Sequence, residues 1–182
     1  MKRSIPIEGS DVRLLAPEDN LLQVCLHTAK HSYCRAPGFR LHTDVDRIVH
    51  FSKIDWKHFL ALVKKMKLQT AVYYSLLIPK GLLHTPVPQY VIDTLRPNWL
   101  RRFIIENLLS KAGLFNQHKK KFSKLGYIIF NLSLYDSLKE ITVAIIPSSE
   151  IMKQRYGFQK SILLPYYHFK RLMSLLVKRA KL

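Results

Sequence analysis

Pro17-Glu-Asp-Asn-Leu-Leu-Gln-Val-Cys-Leu-His-Thr-Ala-Lys-His31 is the stretch whose reading decides the fold. Pro17 suits the first turn of a helix, where its missing N–H costs nothing, and Glu18 and Asp19 favour the positive end of the helix dipole. Leu21, Leu22, Cys25, Leu26 and Ala29 then recur at helical spacing, and Pro37-Gly38 ends the unit. Working outward, Leu41, Val45, Ile48 and Val49 predict a second helix over 41–51 with those side chains inward. Asp55 caps a third, on which Trp56, Phe59, Leu60, Val63 and Met66 form one apolar stripe. A fourth spans 69–78 and stops at Pro79-Lys-Gly81. Thr85-Pro-Val-Pro88 opens a short helix to Leu95, and Asn98 caps another that ends at Gly113. Further helices are expected over 119–132, 135–146, 149–156 and 166–181, although Thr142-Val-Ala-Ile-Ile146 also has strand propensity. Upstream, Gly9-Ser10 between short apolar flanks allows one strand or hairpin. The expected class is therefore mainly α, a multi-helix bundle with at most a short amino-terminal strand or hairpin.

The 182 residues are 48% apolar and 23% charged, which excludes collagen-like, mucin-like and wholly disordered chains. Charge is the unusual quantity: 30 Lys+Arg against 12 Asp+Glu gives +18. It is unevenly placed, at +2 over residues 1–60 and +8 in each of 61–120 and 121–182. Such a field favours polyanionic partners: nucleic acid, nucleotide phosphates or an anionic membrane surface. Cys25 and Cys34 cannot build a disulfide framework, so no disulfide-linked partner is expected. No apolar run follows Met1 as in a signal peptide, and none reaches the ~20 residues a spanning helix needs. The expected place is the cytoplasm, with peripheral membrane contact as an extension of that reading.

Three constellations bear on chemistry. His27 and His31 are four apart and share one helix face, the spacing by which two histidines ligate one zinc. A zinc protease needs a glutamate after the first histidine, where this chain has Thr28, so no metal site is assigned. A hydrogen-bonded pair and a ligand-facing polar cluster are the other readings. Arg40-Leu-His-Thr-Asp-Val-Asp46 contains an Asp-x-Asp. Such a pair holds two magnesium ions when it lies on a strand, where alternate residues face one side. On a helix Asp44 and Asp46 diverge by about 200°. Asp44 is then expected to pair with Arg40 or a histidine, leaving Asp46 solvated. The third constellation is a basic surface of Arg101, Arg102, Lys119, Lys120, Lys121, Lys170, Arg171, Lys178 and Arg179. In the last helix Phe169, Leu172, Met173, Leu176 and Val177 interleave with cations, as in an amphipathic basic helix suited to an anionic surface or an acidic partner.

Taken in order, Leu15-Ala-Pro-Glu-Asp-Asn-Leu-Leu22, Cys25-Leu-His-Thr-Ala-Lys-His31, Arg40-Leu-His-Thr-Asp44, Ile54-Asp-Trp56, Tyr73-Tyr74, Pro86-Val-Pro88, Ile146-Pro-Ser-Ser-Glu-Ile-Met-Lys-Gln-Arg-Tyr156 and Leu164-Pro-Tyr-Tyr167 resemble the family of uncharacterised nucleotidyltransferases over most of residues 13–175. The resemblance implies a polymerase-β-type core joined to a helical carboxy-terminal region. It implies that residues 1–14 are a remnant strand or linker from that core and that 15–182 are the helical domain. The Gly-Ser turn and Asp-x-Asp strand of the family should precede this region, so no catalytic residue is carried over. By resemblance, His27, His31, Arg40 and Asp44 face the nucleotide or acceptor. Magnesium with a nucleoside triphosphate is expected for a full-length relative and no cofactor for this chain. A separate nucleotidyltransferase core chain is an expected partner. The function so implied is an acceptor- or nucleotide-binding or scaffolding module. The alternative is a basic helical module for an anionic membrane surface or nucleic acid.

Overall fold

A computed structural model describes residues 4–6, 8–11, 13–115 and 121–178. The chain is mainly α, as its periodicity requires. Its β structure among these residues is one antiparallel hairpin of β1 (Ile5–Pro6) and β2 (Arg13–Leu14), with Ile5 opposite Leu14. Strands this short need a further tie, and Arg13 supplies it by donating from Nε to Ser4 Oγ (2.6 Å) and from Nη2 to the Ser4 carbonyl (2.9 Å). Two compact units follow along the chain, Met1–Lys121 and Phe122–Leu182.

The first unit is built on α1 (Pro17–Lys30), α2 (Arg40–Phe51), α3 (Trp56–Lys65), α4 (Gln69–Leu83), α5 (Gln89–Leu95) and α6 (Trp99–Ala112). At its centre lies α4, where seven consecutive residues from Thr70 to Leu76 are buried. A helix enclosed on all sides must be apolar all round or satisfy its polar groups internally. Here α1, α2, α3 and α5 pack around it, and the Ser75 hydroxyl donates to the Cys25 carbonyl of α1 at 2.7 Å. The helix does not stop at Pro79 as expected from its sequence. It runs one more turn to Leu83 and ends where His84 adopts the left-handed conformation (φ 57°) and donates its N–H to the Pro79 carbonyl. Proline removes its own N–H from the ladder and crowds the carbonyl four residues back, a cost that surrounding contacts must offset. Pro79 is buried, and packing holds the last turn in place, helped by the Lys80 ammonium bonded to the Val87 carbonyl.

Side-chain caps set several helix starts. Asp55 accepts from the His58 N–H at 3.0 Å and Asn98 from the Arg101 N–H at 2.9 Å. Glu18, buried in the first turn of α1, accepts the Asp55 N–H at 2.9 Å and so docks the start of α3 on the start of α1. Phe59, Leu60 and Val63 of α3 are buried as their stripe requires, but Met66 lies beyond the helix end and is exposed.

The connection from α1 to α2 carries the strongest constraint. Ser32 and Tyr33 both adopt positive φ (53° and 60°), a region costly for a bulky side chain. Tyr33 is fully buried there: its hydroxyl donates to the Ala71 carbonyl of α4 (2.9 Å), its ring lies 5.9 Å from that of Tyr74, and its carbonyl accepts from His42 Nε2 of α2 (2.8 Å). With its own N–H donated to the Thr28 carbonyl of α1 (3.0 Å), one residue thus ties three helices together.

The second unit holds α7 (Lys124–Ser133), α8 (Leu138–Ile145), α9 (Ser149–Tyr156), a 3-10 turn (Ser161–Leu163) and α10 (Leu164–Lys178). Ser123, Ser137 and Ser148 cap α7, α8 and α9. The segment of mixed propensity around Thr142 is therefore helical: a cap at Ser137 starts the helix, and no strand partner is available among the described residues. Phe130 is buried against Phe122 (5.0 Å between rings), and Tyr167 of α10 stacks on the buried Phe158 (4.4 Å). The expected last helix starts earlier, at Leu164, because Pro165 takes a first-turn position.

The ties at Tyr33 separate by substitution. Tyr33→Phe removes one buried hydrogen bond and leaves the ring in place, so chemical denaturation should show a loss of about 1 kcal/mol. Tyr33→Ala empties the site as well and should cost about 3–5 kcal/mol.

Candidate functional site

Near the crossing of α1 and α2, Thr28 donates to the Val24 carbonyl (2.9 Å) and lies 3.5 Å from the Leu41 carbonyl. This crossing places the four sequence-derived site residues. His27 and His31 flank Thr28 on α1 and its cap, Arg40 opens α2 beside Leu41, and Asp44 follows one turn on. The helical reading of the histidines holds, with ring centroids 4.7 Å apart and inclined at 59°. His27, Arg40 and Asp44 are exposed and His31 is half-buried. Among the described residues no side-chain hydrogen bond or ion pair joins any of the four, so each is available to a ligand. Nor do three metal-ligating side chains gather anywhere among the described residues.

Asp44 and Asp46 exchange their expected roles. Asp44 does not pair with Arg40 or a histidine. Asp46 is held instead: it accepts from the Thr85 hydroxyl at 2.6 Å and lies 3.1 Å from His50 Nδ1. The reason is helical phase, since Asp46 follows the buried Val45 and leans toward the loop after α4 while Asp44 projects to solvent. The two carboxylates share neither face nor environment, so they do not fit a magnesium–triphosphate complex.

A histidine that the sequence did not single out is the most perturbed of the set. His42 is fully buried, and its Nε2 must carry a proton because its partner, the Tyr33 carbonyl, can only accept. Its Nδ1 is buried with no hydrogen-bond partner. Burial holds its pKa below the ordinary imidazole value, outweighing the opposing effect of the bond to Tyr33. It belongs to the structural tie at Tyr33. Neither cysteine is poised as a nucleophile: burial pushes the Cys34 thiol up to about 11, against the pull of Lys121 and Arg35, and raises that of Cys25 further.

The expected basic surface divides. Arg102 is bound to Glu106 one turn on (3.3 Å). Lys121 donates to the Gly113 carbonyl (2.7 Å) and so closes the end of α6. Arg171 is half-buried and caps α8 by donating to the Ile145 and Ala144 carbonyls (2.6 and 2.7 Å). Lys170 is exposed and lies over the Tyr167 ring (5.9 Å). Arg101 lies half-buried on α6. Lys178 is the last residue of α10, while Lys119, Lys120 and Arg179 fall outside the described residues. Lys121 and Arg171 are committed by lying beside a helix end, and Arg102 by a carboxylate one turn along its own helix. Near Arg102, burial raises the phenol pKa values of Tyr73 and Tyr74, and the Glu106 carboxylate adds to the rise.

Residues 1–84 match the family model described as uncharacterised nucleotidyltransferase. The match contains the hairpin, α1 to α4 and all four candidate residues. It stops short of the motifs after residue 84 that carried the resemblance toward residue 175. No curated protein and no solved structure matches the chain.

The buried His42 sets a pH dependence. The folded state holds this imidazole below its unfolded pKa near 6.5, so the unfolded chain takes up the proton first as pH falls. Stability should be fully present above pH ~6.5 and decline below it, down to the depressed folded pKa. Thermal melts at pH 7.5 and 5.0 should differ for the wild type and differ less for His42→Gln, whatever that variant's stability at neutral pH.

Proposed function

We propose, for a chain whose first 84 residues form a nucleotidyltransferase-like family segment, that it acts as a helical acceptor- or nucleotide-binding module and supplies no metal-holding carboxylate pair of its own. The observation that carries this reading is the placement of the only Asp-x-Asp in the chain. Asp44 and Asp46 lie on α2 rather than a strand, and Asp46 is already bonded to Thr85. A phosphoryl-transfer centre needs two carboxylates converging on the metals, and these diverge.

Exposed His27, Arg40 and Asp44, with half-buried His31, support the binding half of the proposal. Arg40 offers a planar fork of donors suited to phosphate or carboxylate, and the histidines offer ring donors and acceptors one turn apart. Their backbone is held by buried ties at Thr28, Tyr33 and His42, so the group is presented from a rigid support. Catalysis would then require a separate nucleotidyltransferase core chain, with magnesium and the nucleoside triphosphate held by that partner.

Incubation of the purified chain with labelled nucleoside triphosphates, magnesium and candidate acceptors should yield no transfer product. Equilibrium binding of a nucleoside triphosphate should weaken on the order of tenfold in Arg40→Ala, the loss of one charge-assisted contact. Robust transfer that Asp44→Ala abolishes would overturn the proposal.

A further inference from the structure

Outside the α1–α2 group, the most unusual surface of the chain is α10. An amphipathic helix docked on a protein normally turns its apolar side inward and its cations outward. This helix instead leaves much of its apolar side outward and turns one cation inward. Its inward contacts are made by Tyr167, which stacks on Phe158, and by Arg171, which caps α8. Tyr166, Phe169 and Met173 recur at spacings of three and four, so they share one face, and all three are exposed (58%, 64% and 42%). Ile162, in the turn that leads into the helix, is 83% exposed. Lys170 lies exposed beside this row.

Along the sequence that carries the row, charge has one sign. Residues 151–182 contain eight Lys/Arg and no Asp or Glu. Among the described residues of the second unit, the buried large apolar side chains are Phe130, Met152 and Phe158, a small core for this length. Apolar surface of this extent on a soluble face marks an interaction site.

From these observations we propose that α10 lies in the surface of an anionic lipid bilayer, with Ile162, Tyr166, Phe169 and Met173 entering the acyl boundary and Lys170 meeting the headgroups. Charge complementarity selects this occupant. A second copy would bring two acid-free basic segments together and raise their repulsion. Nucleic acid would meet the cations but would leave an isoleucine and a methionine without apolar contact. An anionic bilayer satisfies both halves of the surface, with aromatic rings at headgroup level and cations against lipid phosphates. No helix among the described residues is long and apolar enough to cross a membrane, so the contact lies in the plane of the interface.

The test is sedimentation of the full chain with vesicles of phosphatidylcholine alone or with a large phosphatidylglycerol fraction, at low and high salt. Binding is expected to the anionic vesicles, stronger at low salt. The double substitution Phe169→Ser with Met173→Ser should weaken it roughly tenfold or more, since two apolar side chains leave the acyl region. Lys170→Glu should weaken binding to anionic vesicles as well. Because these side chains are exposed, circular dichroism should report unchanged helix content in each variant. Absence of binding to anionic vesicles at low salt would overturn the proposal. So would binding that is indifferent to the Phe169 and Met173 substitutions, or a dimer in light scattering that those substitutions dissolve.

Discussion

The seating of Tyr33 is the constraint on which the first unit depends. A tyrosine in the left-handed region is costly, and it persists because the surroundings determine it from three directions. Its hydroxyl reaches α4, its ring packs beside Tyr74, and its carbonyl receives the His42 imidazole from α2. None of these bonds contributes more than about 1–2 kcal/mol net. Together they convert a loop into a joint between helices that are distant in sequence. The entropy of closing that loop and the backbone cost at two residues are offset once, at this one place.

That joint also explains why the candidate site is exposed. Buried polar groups favour hydrogen-bond partners, and around α4 several find them inward: Ser75 bonds to α1, Tyr33 to α4 and His42, through Nε2, to the α1–α2 connection. The inner faces of α1 and α2 are thereby committed to structure. What the same helices present to solvent is free to differ, and His27, Arg40 and Asp44 lie there. His42 stands two residues from Arg40 and two from Asp44, yet helical phase puts it in the core. Neighbours in sequence have opposite tasks, and a motif read as a string cannot separate them.

The fold was legible where local chemistry decides it. Apolar spacing located α1, α2 and α3, Asp55 and Asn98 marked helix starts, and Gly113 marked an end, because caps and periodicity act within one or two turns. Reading failed where tertiary packing overrode a local rule. Pro79 should end a helix, but a buried α4 keeps its final turn through packing that no local window contains. Met66 matched the apolar stripe of α3, but the helix ended first. The His27–His31 pair was legible because i and i+4 always meet. The partner of Asp46 was not, since Thr85 lies 39 residues away and reaches it only after α4 has folded back. Of the ordered motifs that carried the family resemblance, those up to Tyr73-Tyr74 fall within the matched residues 1–84 and those after it do not.

Charge required the most correction, and the correction carries an argument. A net +18 suggests one continuous cationic face, but some of those cations close carbonyl ends within the protein. Lys121 closes α6, Arg171 closes α8 and Arg102 is neutralised by Glu106. Leaving them out of the account still leaves the carboxy-terminal residues cationic, because acidic residues are absent after Glu150. Exposed Lys170 lies there with exposed Phe169 and Met173, apart in sequence from Arg40 and Asp44, which belong to the stretch 1–60 that is close to charge balance. Two surfaces with different physics follow. One is a small set of directional donors and acceptors suited to a defined ligand. The other is a mainly apolar row on an acid-free stretch of sequence, of the kind suited to an extended anionic surface.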